Sequence, residues 1–213
     1  EYSWGWMFDF AVMATFVTVS LAILFGRKWF RIAPAGPIFL SGSAIILALD
    51  SFFPYDTLGP LQYIVPYLVQ ANVWVITALD LGIATARDNL MFLKGDFGPF
   101  ALQVFWPSAG VHSIIIYSLV MMAFLIKMNI IKKRKIMYFV IGIAGTIFVN
   151  MIRIFSLSVY ALKVTTDPEA WEEFHSVAGE IMFLPWLFIF LLVVTAVETK
   201  RLNKLESKQR SQK

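Results

Sequence analysis

Three side chains suited to acyl-transfer chemistry stand far apart in the sequence: Ser108, Arg153 and His175. A serine can act as a nucleophile when a histidine takes its proton, and an arginine can stabilise the charge that develops on the attacked carbonyl oxygen. In "PSAG", Ser108 also suits a helix N-cap or close helix packing. The exposed N–H groups of that first turn could themselves hold an oxyanion. The pattern leaves these roles for Ser108 open.

Arg153 lies inside an apolar stretch, in "NMIRIFS". A charged side chain is costly there and usually faces a cavity or a partner. Asn150, three residues earlier, shares its helix face. Three interpretations remain for Arg153: a functional cation, a side chain that extends to the lipid headgroups, or one half of an ion pair with Glu180 or Asp80.

Both histidines of the chain lie close to these positions. His175, in "FHSVAGEIMF", begins the last apolar stretch, where an interfacial histidine without a catalytic role is also common. His112 follows Ser108 by four residues, so a regular helix would place both on one face. His112 is therefore either a second candidate for the general base or a hydrogen-bonding group in a cavity wall.

The composition is that of a membrane protein, because 59% of the 213 residues are hydrophobic, against 45–50% in soluble domains. The mean hydropathy is +0.72. Apolar stretches recur at lengths near the roughly 20 residues that cross a bilayer. They cover approximately 6–26, 37–53, 61–86, 109–127, 136–163 and 174–198. We therefore expect an all-α integral membrane protein, a polytopic bundle of about six transmembrane helices.

The segment before the fourth stretch is different, since "NLMFL" and "FALQVFW" flank the turn sequence "KGDFGP". This pattern predicts a hairpin or a re-entrant loop at the outer face, before the helix that carries Ser108. Nothing else divides the chain. We expect one transmembrane domain over residues 1–198 and a basic cytoplasmic tail over 199–213.

The net charge of +4 is concentrated in Lys127–Lys135 and in the tail Lys200–Lys213. Basic residues flanking apolar helices favour the cytoplasmic side, so these clusters predict cytoplasmic loops rather than a nucleic-acid surface. Ser108 then lies on the extracellular side of a multi-pass protein of the cell membrane. Six complete spans would, however, place the basic loop 27–31 outside, against the bias. Either one of the first three stretches does not cross fully, or a trimmed start hides a further feature; Pro60 and Pro66 make the third stretch the candidate for an incomplete crossing.

Residue counts give the depth of each candidate. At about 1.5 Å per residue, Arg153 lies about 27 Å above Lys135, and His175 lies about 37 Å above Lys200 on a helix of opposite direction. Ser108 opens its helix at a similar level. We therefore expect the three side chains to share one pocket near the outer surface.

The sequence contains no cysteine, which excludes disulfides, thiol nucleophiles and cysteine-bound metals. Two histidines without a carboxylate motif do not form a typical metal site. We predict no metal and no cofactor.

"PSAGVHSIII", "NMIRI" and "FHSVAGEIMF" together resemble the ordered motifs of the exosortase/archaeosortase membrane transpeptidases. In that family a Cys-small-Gly segment opens one helix, an Asn-x-x-Arg segment lies in the next, and a basic residue, often His, begins the last. The resemblance runs over roughly residues 60–195. It implies that Ser108 occupies the nucleophile position, with Arg153 and His175 as the other catalytic residues. Gly110 and Asn150 match the flanking motif positions, and together with His112 they are expected at the substrate.

The resemblance also implies the partners. The substrate would be a secreted or surface protein whose C-terminal sorting signal combines a short motif, an apolar helix and a basic tail. The enzyme would cut at the outer membrane face and pass the new C-terminus to an acceptor, a membrane lipid in archaeal members. An archaeal source is the corresponding expectation.

The chain departs from the family at the nucleophile, because Ser108 stands where the family has cysteine. Either the chain belongs to a natural serine branch, or the serine was engineered to trap an inactive enzyme. A neighbouring cation can turn a thiol into a thiolate, whereas a serine needs a general base within hydrogen-bond distance. Neutral His175 is the predicted base, with His112 in reserve.

Two other classes of function fit parts of the sequence. A small transporter or an assembly factor could use Asp50, Asp80, Arg153 and Glu180 as an ion path across the membrane. A rhomboid-like intramembrane serine protease would also pair a serine with a histidine, although "FWPSAGV" lacks the Gly-x-Ser setting of that nucleophile.

Overall fold

The computed structural model describes residues 2–53 and 60–210. Its helices are α1 (Tyr2–Phe25), α2 (Trp29–Ile32), α3 (Ala35–Phe52), α4 (Val65–Ala78), α5 (His112–Lys127), α6 (Lys132–Lys163) and α7 (Pro168–Arg210). Short 3-10 turns cover Gly26–Lys28 and Pro60–Ile64, and a single π-turn covers Pro107–Val111. Three strands lie between α4 and α5: β1 (Ile83–Arg87), β2 (Leu90–Gly95) and β3 (Gly98–Gln103).

Five segments of the described chain are long and apolar enough to cross a membrane. They are Trp4–Ile32, Ala35–Phe52, Pro107–Lys127, Lys132–Lys163 and Pro168–Leu205. The predicted class, a polytopic helical membrane protein, is confirmed. The described residues hold five such segments, where about six were expected.

The missing span is the third apolar stretch, 61–86. Its helix α4 has 14 residues, too few to cross the hydrocarbon core, and the end of the stretch forms β1. Val65, Val69 and Ile76 are fully buried against the sheet and α6. One face of this stretch is therefore apolar because it is buried in protein, while Tyr67 and Trp74 are exposed.

The predicted hairpin before α5 is present, as part of an antiparallel sheet in the order β1-β2-β3. Gly95 pairs with Gly98 at the turn between β2 and β3. Along β2 the alternate residues Met91 and Leu93 are buried, while Phe92 is exposed, so one face of the sheet packs on α4 and α6. The N–H of Asp96 donates to Leu162 O over 3.0 Å and attaches the turn to the end of α6.

With five spans, the basic loop 27–31 lies at the same end of the bundle as the basic residues 127–135, as the distribution of basic residues requires. The ends of α2 and α5 and the start of α6 meet, and Arg31 lines one cavity with Lys127, Lys132 and Lys135. We call this the basic end of the bundle. The sheet lies at the other end of α5 and α6, which we call the sheet end.

The predicted boundary at residue 198 is not a break in structure. Helix α7 continues without interruption to Arg210. Glu198 is buried at that point and accepts hydrogen bonds from Arg134 Nε (2.6 Å) and Arg201 Nη1 (3.1 Å). The division into a membrane domain and a cytoplasmic tail stays a prediction.

Candidate active site

A partly open cavity of about 340 Å³ lies at the sheet end, where α5 begins beside α6 and α7. Ser108, Arg153 and His175 all line it, and so does His112. The five-residue π-turn delivers the serine, α6 the arginine and α7 the histidine. The structure thus brings the predicted residues together, and their catalytic roles stay predictions.

The entrance to α5 is not a simple helix N-terminus. Gly110 has a φ of +104°, which L side chains rarely adopt, and the regular helix begins only at His112. The N–H of Ala109 donates to Phe105 O at 2.8 Å, and that of Val111 donates to Trp106 O at 3.4 Å. These two amides are engaged, so they are not free for an oxyanion in this conformation.

Gly110 and Asn150 are buried behind the cavity rather than in its lining. A Cβ on Gly110 would collide with the side chain of Asn150, which is 2% exposed. Asn150 Nδ2 donates to Gly110 O, and Ser113 Oγ donates to Asn150 Oδ1, each over 3.5 Å. The glycine therefore permits close contact between the turn and α6. Substrate contact by either residue stays a prediction, whereas His112 does line the cavity.

Arg153 and His175 form a direct contact, in which Nη2 of the guanidinium donates to Nε2 of the imidazole over 2.9 Å. A guanidinium has no acceptor, so Nε2 must hold its lone pair towards Arg153. The proton of the neutral ring is then on Nδ1, which faces Glu172 Oε1 at 3.4 Å. His175 is neutral in this arrangement, and both its nitrogens are engaged.

This arrangement bears on the predicted base. The lone pair that would take the proton of Ser108 is already occupied by Arg153. Ser108 makes no hydrogen bond with His175 within the described part of the chain. His175 is therefore placed to orient the guanidinium.

The guanidinium keeps donors available for a ligand. Its Nε is buried and has no hydrogen-bond partner among the described atoms. Of the two predicted ion-pair partners, Asp80 is exposed in the turn after α4 and forms no salt bridge with Arg153 in the described residues, while the side chain of Glu180 lies outside them. Gly179 approaches closely, since a Cβ there would lie 3.2 Å from Cζ of Arg153.

Two neighbours of His175, one aromatic and one acidic, were not predicted from the sequence. Trp171 stacks on its ring, with centroids 5.1 Å apart and planes 10° apart, and the indole N–H donates to Leu157 O at 3.3 Å. Glu172 faces Nδ1. Both precede His175 by one helical turn, so the i,i+3 and i,i+4 spacing was the available signal.

His112 has a partner on a different helix. Its Nε2 lies 3.1 Å from Oδ1 of Asp50 on α3. The buried Trp106 packs its ring perpendicular to the imidazole, with centroids 5.2 Å apart. From sequence, Asp50 is expected only as part of an ion path, so this contact with His112 is not predicted.

No metal site is evident in residues 2–53 and 60–210, where no three His, Asp or Glu side chains group in a way that could hold an ion. The cavity is lined by hydroxyl, imidazole and guanidinium groups. These groups suit proton transfer and the stabilisation of an oxyanion.

The fold and the cavity define a polytopic helical membrane protein with a polar site at the sheet end of the helix bundle. Residues 4–192 match the family model described as Transmembrane exosortase (Exosortase_EpsH). The chain therefore belongs to the transmembrane exosortase family. No curated protein and no solved structure gives a significant match. The match extends the resemblance of residues 60–195 almost to the N-terminus.

Proposed function

We propose that this protein is a membrane transpeptidase that cleaves the C-terminal sorting signal of surface proteins and transfers the new C-terminus to an acceptor, a membrane lipid. Membership of the exosortase family favours this activity over a transporter or a rhomboid-like protease. The observation that carries the proposal is the shared cavity of Ser108 and Arg153, in which a buried guanidinium N–H has no partner among the described atoms.

The reaction begins when Ser108 Oγ attacks the carbonyl carbon of the scissile peptide bond and gives its proton to a base. Arg153 stabilises the oxyanion that forms, since a fixed cationic donor in a partly desolvated site binds the transition state more strongly than the substrate. Collapse of the intermediate breaks the C–N bond, and the base returns the proton to the leaving amine. The products are an ester on Ser108 and the released signal helix.

The second half of the reaction resolves the ester. A hydroxyl or amine of the acceptor attacks the ester carbonyl, the base takes its proton, and Ser108 Oγ leaves and recovers a proton from the base. In both halves His175 is a positioning residue, because its Nε2 holds one N–H of Arg153. Glu172 in turn fixes the tautomer of His175.

We place the sheet end on the extracellular side and the C-terminus in the cytoplasm. Three basic segments, around Arg31, Lys127–Lys135 and Lys200 onward, support this orientation, because basic residues accumulate in cytoplasmic loops. A substrate helix entering from the lipid would then present its motif at the cavity and its basic tail at the cytoplasmic surface.

The test is co-expression with a reporter protein that carries a C-terminal motif, apolar helix and basic tail from a surface protein of the source organism. Processing is followed by gel shift and mass spectrometry of the new C-terminus. We expect Ser108→Ala and Arg153→Ala to abolish cleavage, and Asp80→Asn, outside the cavity, to leave it unchanged. Cleavage at the unmutated rate in both cavity variants would overturn the proposal.

A further inference from the structure

We propose that His112, held by Asp50, is the general base for Ser108, and that His175 is not. The inference rests on the proposed function and names the proton acceptor within that site. The observation behind it is that the two imidazoles that line the cavity have different hydrogen-bond partners, Asp50 for His112 and Arg153 for His175.

The contact with Asp50 determines which nitrogen of the neutral His112 ring carries the proton, and it leaves the other nitrogen able to accept one. An ionised carboxylate only accepts hydrogen bonds, so the Nε2 that lies 3.1 Å from Asp50 Oδ1 carries the proton. The lone pair of the neutral ring is then on Nδ1, which has no partner among the described residues. A carboxylate in this position also stabilises the imidazolium that forms when the ring accepts a proton.

The ring of His112 packs against Trp106, which follows strand β3. Trp106, fully buried, packs with its ring perpendicular to the imidazole. The backbone N–H of Trp106 donates to Gln62 Oε1 at 2.8 Å, and its indole N–H donates to Phe53 O at 3.3 Å. A base oriented by rigid neighbours needs no reorganisation at the moment of proton transfer.

His175, in contrast to His112, has no free lone pair, because its Nε2 accepts a hydrogen bond from Arg153. Using His175 as the base would require breaking that bond and would leave the guanidinium without its orienting partner. The step we assign is therefore transfer of the Ser108 hydroxyl proton to His112 Nδ1 as Oγ bonds to the carbonyl carbon. The same proton passes to the leaving amine when the C–N bond breaks.

The experiment measures phosphonylation of the full-length protein in detergent by a fluorescent fluorophosphonate. Oγ of an activated serine bonds to phosphorus, fluoride leaves, and the base takes the proton, so the rate reports base catalysis without a known substrate. Ser108→Ala defines the background. We expect His112→Gln to slow labelling of Ser108 by about 100-fold or more, the usual range for loss of a general base, and His175→Gln to slow it far less.

Two further measurements separate a base from a structural residue. Added imidazole should restore labelling in His112→Ala through the partly open cavity, and Asp50→Glu should retain more activity than Asp50→Asn. The pH profile should lose its ascending limb in His112→Gln. In the described chain, Arg153 from α6 and His175 from α7 are the other charged or titratable groups that line this cavity. Asp50 from α3 contacts His112, and Glu172 contacts His175. Thermal unfolding of each variant checks that it is folded.

The outcomes distinguish the two proposals. If Ser108 is not labelled in the unmutated protein, the serine is not activated, and the proposed function fails together with this inference. If Ser108 is labelled but His112→Gln reacts at the unmutated rate, only the assignment of the base is overturned. A loss in His112→Ala that imidazole leaves unchanged, in a folded protein, also overturns it.

We infer that a second site lies at the basic end. There a cavity of about 420 Å³ binds the phosphate of an anionic phospholipid headgroup. Four cations line it, from the end of α2, the end of α5 and the start of α6: Arg31, Lys127, Lys132 and Lys135. Ile126 and Ile130 add apolar wall beside them. Basic pockets between membrane helices have the charge and shape that such headgroups require.

The charge of this cavity is uncompensated in the described residues. None of its four cations forms a salt bridge there, and its lining includes no carboxylate. The neighbouring Arg134 and Arg201, by contrast, are both paired with the buried Glu198. A concave group of unpaired cations at the membrane surface favours an anionic ligand from the lipid.

Native mass spectrometry of the full-length protein tests this inference with phosphatidylglycerol, phosphatidylcholine and inorganic phosphate. We expect retained phosphatidylglycerol and about fivefold weaker binding in each of Lys127→Gln and Lys132→Gln, as for one basic residue near an anionic surface. Lys94→Gln, on the exposed face of the sheet, is the matched control. Equal retention of phosphatidylcholine, or an equal loss in the control, would overturn the site. Retention of inorganic phosphate in place of the lipid would overturn the lipid assignment.

Discussion

Nη2 of Arg153 donates a hydrogen bond to Nε2 of His175 over 2.9 Å and joins α6 to α7 in the wall of the cavity. The contact determines what each side chain can do. The guanidinium donates to Nε2 of an imidazole whose other nitrogen, Nδ1, faces Glu172 Oε1 at 3.4 Å. Because Nε2 of His175 accepts this hydrogen bond, the histidine has no free lone pair. In the proposed mechanism Arg153 therefore stabilises the oxyanion and His175 orients Arg153.

Arg153→Lys tests the role of the planar guanidinium. A lysine ammonium keeps the charge but cannot hold the fixed geometry in which one N–H meets His175 and another meets an oxyanion. We expect kcat for reporter cleavage to fall by about 10²–10³, the range for loss of one oxyanion donor, with a small change in KM. Retention of more than half of the unmutated kcat would show that a point charge is sufficient.

Gly179→Ala tests the close approach between α7 and Arg153. The added Cβ would lie 3.2 Å from Cζ of the guanidinium, closer than ordinary van der Waals contact, so the guanidinium must shift. Alanine is also the better helix former by about 1 kcal/mol. We therefore expect lower activity at unchanged or higher thermal stability. Gly5→Ala in α1, where nothing lies within 4 Å, is the control and should keep full activity.

Gly110→Ala tests the packing of the π-turn on α6. The φ of +104° would be strained for alanine, and its Cβ would collide with Asn150. Gly98→Ala, at a φ of +118° in open space, carries only the strain, about 1–3 kcal/mol. We expect Gly110→Ala to lower the melting temperature more than Gly98→Ala does. Asn150→Ala added to Gly110→Ala removes the two nearest atoms, Nδ2 and Cγ, but leaves Cβ at 2.8 Å, so it should recover only part of the loss. A loss in Gly110→Ala no greater than in Gly98→Ala would exclude the collision as its cause.

Ser108→Cys tests whether the cavity serves a thiol as well as a hydroxyl. A thiol ionises far more readily than a hydroxyl beside a cation such as Arg153, so its reaction depends less on a general base. We expect the variant to cleave the reporter and to be inactivated by iodoacetamide, and His112→Gln to cost much less in this background than with Ser108. An equal loss in both backgrounds would contradict a role for His112 in proton transfer.

The sequence alone predicted the features that depend on residue type and on distance along the chain. Apolar runs identified the membrane helices, and "KGDFGP" between two apolar segments identified the β2–β3 hairpin. The third apolar stretch was misleading because hydropathy does not distinguish lipid from a protein core. Helix α4 of this stretch buries Val69 and Ile76 against the sheet. The spacing of apolar residues in the sequence does not show what they pack against.

The same division applies to the candidate site. Residue counts placed Ser108, Arg153 and His175 at one depth, because every helical residue advances the chain by about 1.5 Å. Depth does not specify the rotation of a helix about its axis, which depends on how side chains of neighbouring helices pack. Only the tertiary structure could decide that Arg153 meets His175, and that Asp50, 62 residues away in sequence, meets His112. Those pairings determine which nitrogen is free, and the chemistry of the site depends on that.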